Sequence, residues 1–166
     1  DKSENLYREI LNSAKTEQNL ANEATILNDL GVTLLYNEKY NECSSLFREA
    51  IELSRQIEDK KLELFTTVNM AATFHKMGEL QEAATRYWLA RTLAQKLSNF
   101  ISQASIESNL GFILFSQEKY QQSLDRFLSA AAIAHDNNIP RVHIETLLSL
   151  SALHRRMGNI ELAKRT

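Results

Sequence analysis

The chain has 166 residues, 43% hydrophobic and 24% charged, which is enough to bury a continuous core and too apolar for a disordered segment. Four glycines and one proline supply almost no hairpin-turn chemistry, so the chain reads as all-α. A formal charge of -2 gives no basic surplus for nucleic acid, no apolar run approaches the ~20 residues of a membrane span, and a single cysteine excludes an internal disulfide or a cysteine-cluster zinc site.

The first element, residues 1–21, reads as the second helix of a preceding unit, helical over 3–20. Its Tyr7-Arg8 matches Phe47-Arg48 forty residues on. Three complete units follow at 22–61, 62–101 and 102–141, and a partial one at 142–166. A shift of 40 superimposes Leu30-Gly31 on Met70-Ala71, Leu110-Gly111 and Leu150-Ser151. Cys43, Ala83, Ser123 and Ala163 share a column, as do Phe47, Tyr87 and Phe127, and then Ala50, Ala90 and Ala130.

Each unit divides at a short turn, 37–39, 77–79, 117–119 and 157–159, into two amphipathic helices. This predicts seven full-length helices, a truncated eighth at the C-terminus and no sheet. Gly78 and Gly158 stand where a helix ends and positive φ is wanted, and Pro140 can open a helix without losing a hydrogen bond. The small residue in the first helix and the alanines in the second allow close helix approach, with the aromatic column filling the space between repeats.

These columns resemble the tetratricopeptide repeat family, whose consensus places Leu-Gly in the first helix and Ala, aromatic, Ala in the second. The resemblance implies an α-α superhelix, a solenoid of antiparallel helix pairs. The family's usual unit has about 34 residues, so 40-residue units imply helices longer by nearly a turn, as in kinesin light chains, Pins-type scaffolds, and Rap-type or sensor solenoids. Residues 1–166 are then one solenoid fragment. Neither end looks like a capping unit and the chain does not open on methionine, so it is expected to be a piece of a longer protein.

No residue set suggests catalysis. The spacings of zinc proteases, phosphate loops and nucleophile elbows are missing, and Cys43 sits in a small-residue packing column. Among the histidines, His143 and His154 are eleven residues apart on one helix, roughly 16 Å, too far to share an ion. His75 stands alone, and His135 sits near a helix end. No catalytic residue, metal or cofactor is expected.

The resemblance also implies that the first helix of each unit lines a concave groove that receives a protein or peptide segment. The column Asp29, Asn69, Asn109, Ser149 falls there. In kinesin-light-chain and Pins-type relatives asparagine at this column holds a peptide main chain, and Asn69 and Asn109 match it; alternatively these amides bridge repeats or face water. Val32, Phe65, Phe112 and Phe115 are candidate apolar contacts, Phe115 being also a candidate for core packing. His75-Lys76 and Arg155-Arg156 end two first helices, where they can receive an acidic segment or simply offset the helix dipole. Asn28 and Val32 replace the chaperone-tail clamp, so that partner is not supported.

Charge runs from 13 acidic against 8 basic residues over 1–63 to 2 against 5 over 141–166, which encourages self-association through uncapped ends. The functional expectation is a non-catalytic, soluble scaffold in the cytoplasm that binds a protein or peptide, with no nucleic-acid or membrane partner. The alternative is a ligand- or peptide-sensing regulatory domain of a signalling protein or transcription regulator.

Overall fold

The computed structural model describes residues 2–159, all of whose regular elements are α-helices: α1 Lys2–Thr16, α2 Leu20–Tyr36, α3 Tyr40–Gln56, α4 Lys60–Lys76, α5 Leu80–Lys96, α6 Phe100–Ser116, α7 Tyr120–Asp136 and α8 Pro140–Arg156. These eight are the leading helix, the three complete pairs and the first helix of the last unit, every element that the columns predicted within these residues, although their number exceeds the seven expected. The first helix of the last unit, α8, runs its full 17 residues. The expected truncated helix falls in 160–166, outside the described residues.

From α2 to α8 every helix has 17 residues and every connection has three. The unit columns therefore conceal a finer structural period of 20. The first helices α2, α4, α6 and α8 start at residues 20, 60, 100 and 140, two before the unit boundaries read from the columns.

The connections share one backbone solution. In the 77–79 turn, Gly78 N–H donates to His75 O (3.1 Å) and Glu79 N–H to Phe74 O (2.9 Å), the double closure of a Schellman motif. The same pair of bonds recurs at Glu38/Lys39, Glu58/Asp59 and Glu118/Lys119. Gly78 has φ of 79° and Gly158 of 77°, as their positions predicted. Six further connections place Gln18, Glu38, Glu58, Ser98, Glu118 and Asn138 at the same point, with φ between 50° and 59°.

The residue after each left-handed one opens the next helix, and here the two kinds of turn differ. Between units, Asn19, Asp59 and Asn99 accept from the exposed N–H groups of α2, α4 and α6, for example Leu62 N to Asp59 Oδ1 at 2.9 Å. Within units, Lys39 and Lys119 give no side-chain cap to α3 and α7. Pro140 opens α8 at its first turn, where its missing N–H removes no bond.

The chain forms two compact units, Asp1–Leu93 and Ala94–Thr166. In the first, α2 pairs with α3, α3 packs on α4 and α1 on α2 around Leu30, Leu34, Cys43, Phe47, Ile51 and Met70. A Cβ on Gly31 would lie 2.5 Å from Phe47 Cε1, so the aromatic of the second helix lies directly on the glycine of the first. In the second unit α6 pairs with α7, and α8 packs on both. Phe127, Leu150 and Leu153 form one cluster there and Ala104, Ala134 and Val142 another. Gly111 and Phe127 repeat the Gly31–Phe47 contact, at 2.8 Å from a built Cβ. Ser123 donates to Gly111 O at 2.8 Å beneath it. Each fully buried leucine or phenylalanine contributes about 1.5–3 kcal/mol, so these columns are where the fold is held.

Candidate functional site

The two units treat the asparagine column differently. In the first unit Asn69 Nδ2 on α4 donates to Asn28 Oδ1 on α2 at 3.0 Å, and Thr66 Oγ1 donates to the same oxygen at 3.1 Å. Asn28 in turn donates to Asp29 Oδ1 at 3.1 Å. Asp29 and Asn69 thus sit in one side-chain network with Asn28 at its centre, half-buried between neighbouring first helices.

In the second unit the Asn109 amide has no hydrogen-bond partner among the described residues. It lines a cleft of about 420 Å³ between α6 and α8. Ser105, Ser108, Asn109 and Phe112 form the α6 wall; Val142, Thr146 and Ser149 form the α8 wall, with Arg141 and Glu145 at its edge. Arg141 Nε and Glu145 Oε1 are paired at 3.2 Å. The hydroxyls of Thr146 and Ser149 donate to carbonyls of their own helix, Val142 O and Glu145 O, at 2.8 and 2.9 Å. Their oxygen lone pairs stay available as acceptors. Phe112 is 40% exposed and meets Phe127 edge-to-face at a centroid distance of 5.1 Å, so the core fixes one side of its ring and the other faces outward.

The remaining candidates spread over both units. Val32 packs on the Phe47 cluster and Phe65 is 46% exposed on α4. Phe115 packs beside the Phe127–Leu150–Leu153 cluster, its ring 5.8 Å from that of Tyr120. His75 and Lys76 occupy the last turn of α4, and Arg155 and Arg156 that of α8, where positive charge complements the helix dipole. Burial, assisted by the Lys76 charge, holds His75 below the usual histidine range. Cys43 is fully buried, its Sγ 3.6 Å from Thr73 Oγ1, and burial pushes its thiol up.

The structure therefore joins Asn109 with Phe112 in one cleft and Asp29 with Asn69 in one network. Sequence reasoning named Asn28 only as a departure from a clamp, not as the partner of Asn69, and it missed the α8 wall beyond Ser149. The cleft's signal was weak, a run of small polar residues at helical spacing, Ser105, Ser108 and Asn109, on a helix that carries other polar residues as well. Among the described residues no helix is long and apolar enough to cross a membrane.

Comparison with known proteins agrees with the architecture. Residues 22–96 match the family model described as Tetratricopeptide repeat. The chain is 27% identical over 99 residues to the mitochondrial "Tetratricopeptide repeat protein 19 homolog" of Drosophila melanogaster, matching 58% of its own length and 27% of the relative's. It thus spans about a quarter of that curated relative. Among solved structures, BtubC (BKLC) from P. vanneervenii superposes with a TM-score of 0.85 at 21% identity, covering 99% of this chain and 68% of that one. The Rap conjugation gene regulator of plasmid pLS20, solved in complex with the Phr* peptide, superposes with a TM-score of 0.72 at 14% identity, covering 94% and 49%. The 40-residue columns and the paired helices agree with these matches: residues 22–96 are similar to the tetratricopeptide repeat, and the fold is an all-α superhelix of helix pairs.

Proposed function

We propose that this chain is a non-catalytic scaffold module that binds a peptide segment of a partner protein, and that in the second unit the segment lies in the α6–α8 cleft. The observation that carries this reading is the Asn109 amide, uncommitted within its own unit and next to the half-exposed ring of Phe112. A side-chain amide donates to one peptide carbonyl and accepts from one peptide N–H, which anchors a main chain with little demand on sequence, while an aromatic in a concavity supplies affinity. Phe65 beside the Asn69 network offers a comparable apolar contact on the first unit. An acidic residue of the partner would be met by Arg155 and Arg156, both exposed.

The test is selection from a random-peptide display library against the full chain, followed by titration of the selected peptides. Phe112→Ala should weaken binding about tenfold or more and Asn109→Ala by a smaller factor, with the helical spectrum unchanged. Peptides that bind both variants as tightly as the parent would remove the cleft from consideration.

A second reading, a regulatory domain that senses a peptide, is favoured by the fold likeness to the pLS20 Rap regulator, whose structure holds a peptide. The cytoplasmic location belongs to the proposal as well. Self-association is motivated by the opposite charges of the chain's two ends and is tested by sedimentation at low and high salt.

A further inference from the structure

At three of the four connections between units, the last turn of a second helix meets the first turn of the next first helix through side chains eight residues apart. Between α1 and α2 these are Lys15 and Glu23, ion-paired at 3.6 Å, and between α3 and α4 they are Arg55 and Glu63, at 2.6 Å. At the α5–α6 turn the later position is Gln103, whose Nε2 donates to Ala94 O at 3.1 Å. The backbone thus brings this pair of side chains together, and the first two connections use opposite charges to join them.

At the α7–α8 turn the same two positions hold His135 and His143. Their rings meet edge-to-face with centroids 5.6 Å apart. They line a concavity of about 200 Å³ together with Asn138, Ile139 and Pro140. His135 Nδ1 lies 3.2 Å from Asp136 Oδ1, so with the proton on Nδ1 the carboxylate orients the ring and leaves Nε2 with a free lone pair. Nitrogen ligands sit ~2.0–2.1 Å from a zinc-like ion, which places two imidazole centroids on one tetrahedral ion roughly 5 Å apart, close to the observed spacing. The turn is closed by Ile139 N–H to Ala134 O at 2.8 Å and followed by Pro140, so the backbone carrying the two rings is constrained before any ligand arrives.

We propose that His135 and His143 form a two-histidine site for a divalent transition-metal ion of the zinc class, with water in the remaining positions and Asp136 holding His135 in the ligating orientation. A cation there does for two imidazoles what the opposite charges do in the first two connections. Among the described residues no three His, Cys, Asp or Glu side chains converge as a metal-binding group, so the ion stays open to solvent. This departs from the sequence reading, which compared His143 with His154 along one helix.

The experiment is a Zn²⁺ titration of the untagged full chain, followed by calorimetry and by the side-chain NMR signals of its four histidines. One equivalent should bind saturably, shifting the rings of His135 and His143 and leaving His75 unmoved, while Mg²⁺ should not compete. His135→Gln and His143→Gln should each lower the affinity by about tenfold or more, and Asp136→Asn by up to roughly tenfold, with unchanged circular dichroism. Absence of saturable binding, or binding that survives the double His135→Gln, His143→Gln variant, would overturn the proposal.

Discussion

Asn69 donates to Asn28 across α2 and α4 at 3.0 Å, whereas Asn109, forty residues further along the same column, keeps its amide free within its unit. Truncating the two should have different consequences. Asn69→Ala removes one partly buried hydrogen bond and should cost about 0.5–1.5 kcal/mol of stability. Asn109→Ala should leave stability within about 0.5 kcal/mol and act on binding instead. Denaturant melts of both single variants check this, and equal losses would show that Asn109 is committed structurally.

Gly31 and Gly111 carry the rings of Phe47 and Phe127 at distances that leave no room for a methyl group. Gly31→Ala gains about 1 kcal/mol of helix propensity but overpacks a core in which Phe47 is fully buried, at about 1–3 kcal/mol. The net expectation is destabilisation of roughly 1 kcal/mol. Adding Phe47→Leu should cost less in the Gly31→Ala background than in the parent, and a double-mutant cycle reads that coupling directly.

Left-handed turns carried by ordinary residues leave stability unrealised. Glu118 has φ of 59°, a conformation that costs an L-residue about 1–2 kcal/mol, part of which glycine returns as unfolded-state entropy. Glu118→Gly should therefore stabilise by about 0.5–1 kcal/mol. Gly78→Ala should destabilise by a similar amount through the backbone alone, since a Cβ there meets nothing within 4 Å. Thermal melts of the two variants should move in opposite directions.

Glu63 is 4% exposed; burial raises its pKa, but hydrogen bonds from Arg55 at 2.6 Å and Lys60 at 3.0 Å outweigh this and hold it below the usual carboxylate range. A carboxylate depressed in the folded state gives stability that is present above its unfolded value, about 4.3, and is lost as pH falls through the folded value. Glu63→Gln should lower Tm at neutral pH and flatten the acid limb, so that the two curves converge in acid. Parallel curves would show that the ion pairs contribute nothing.

What the sequence determined is what repeats. Helix pairs, the Leu30-Gly31 and Phe47 columns and the turns at Gly78 and Gly158 were legible because every unit must solve the same packing problem with the same residue sizes. Six other left-handed positions were not, because Gln18, Glu38, Glu58, Ser98, Glu118 and Asn138 accept the strained φ without a glycine to mark it. Tertiary structure alone decided the polar pairings. Asn28 meets Asn69 because α2 and α4 lie side by side, whereas forty residues on Asn28's place in the repeat is taken by Val68, whose side chain has no polar atom to offer Asn109. His135 meets His143 because a three-residue Schellman turn folds the end of α7 onto the start of α8. Apolar columns register burial, which depends on size and period and can be read along the chain. Hydrogen bonds and ligand geometry depend on ångström-scale distances between helices, which the period leaves undetermined.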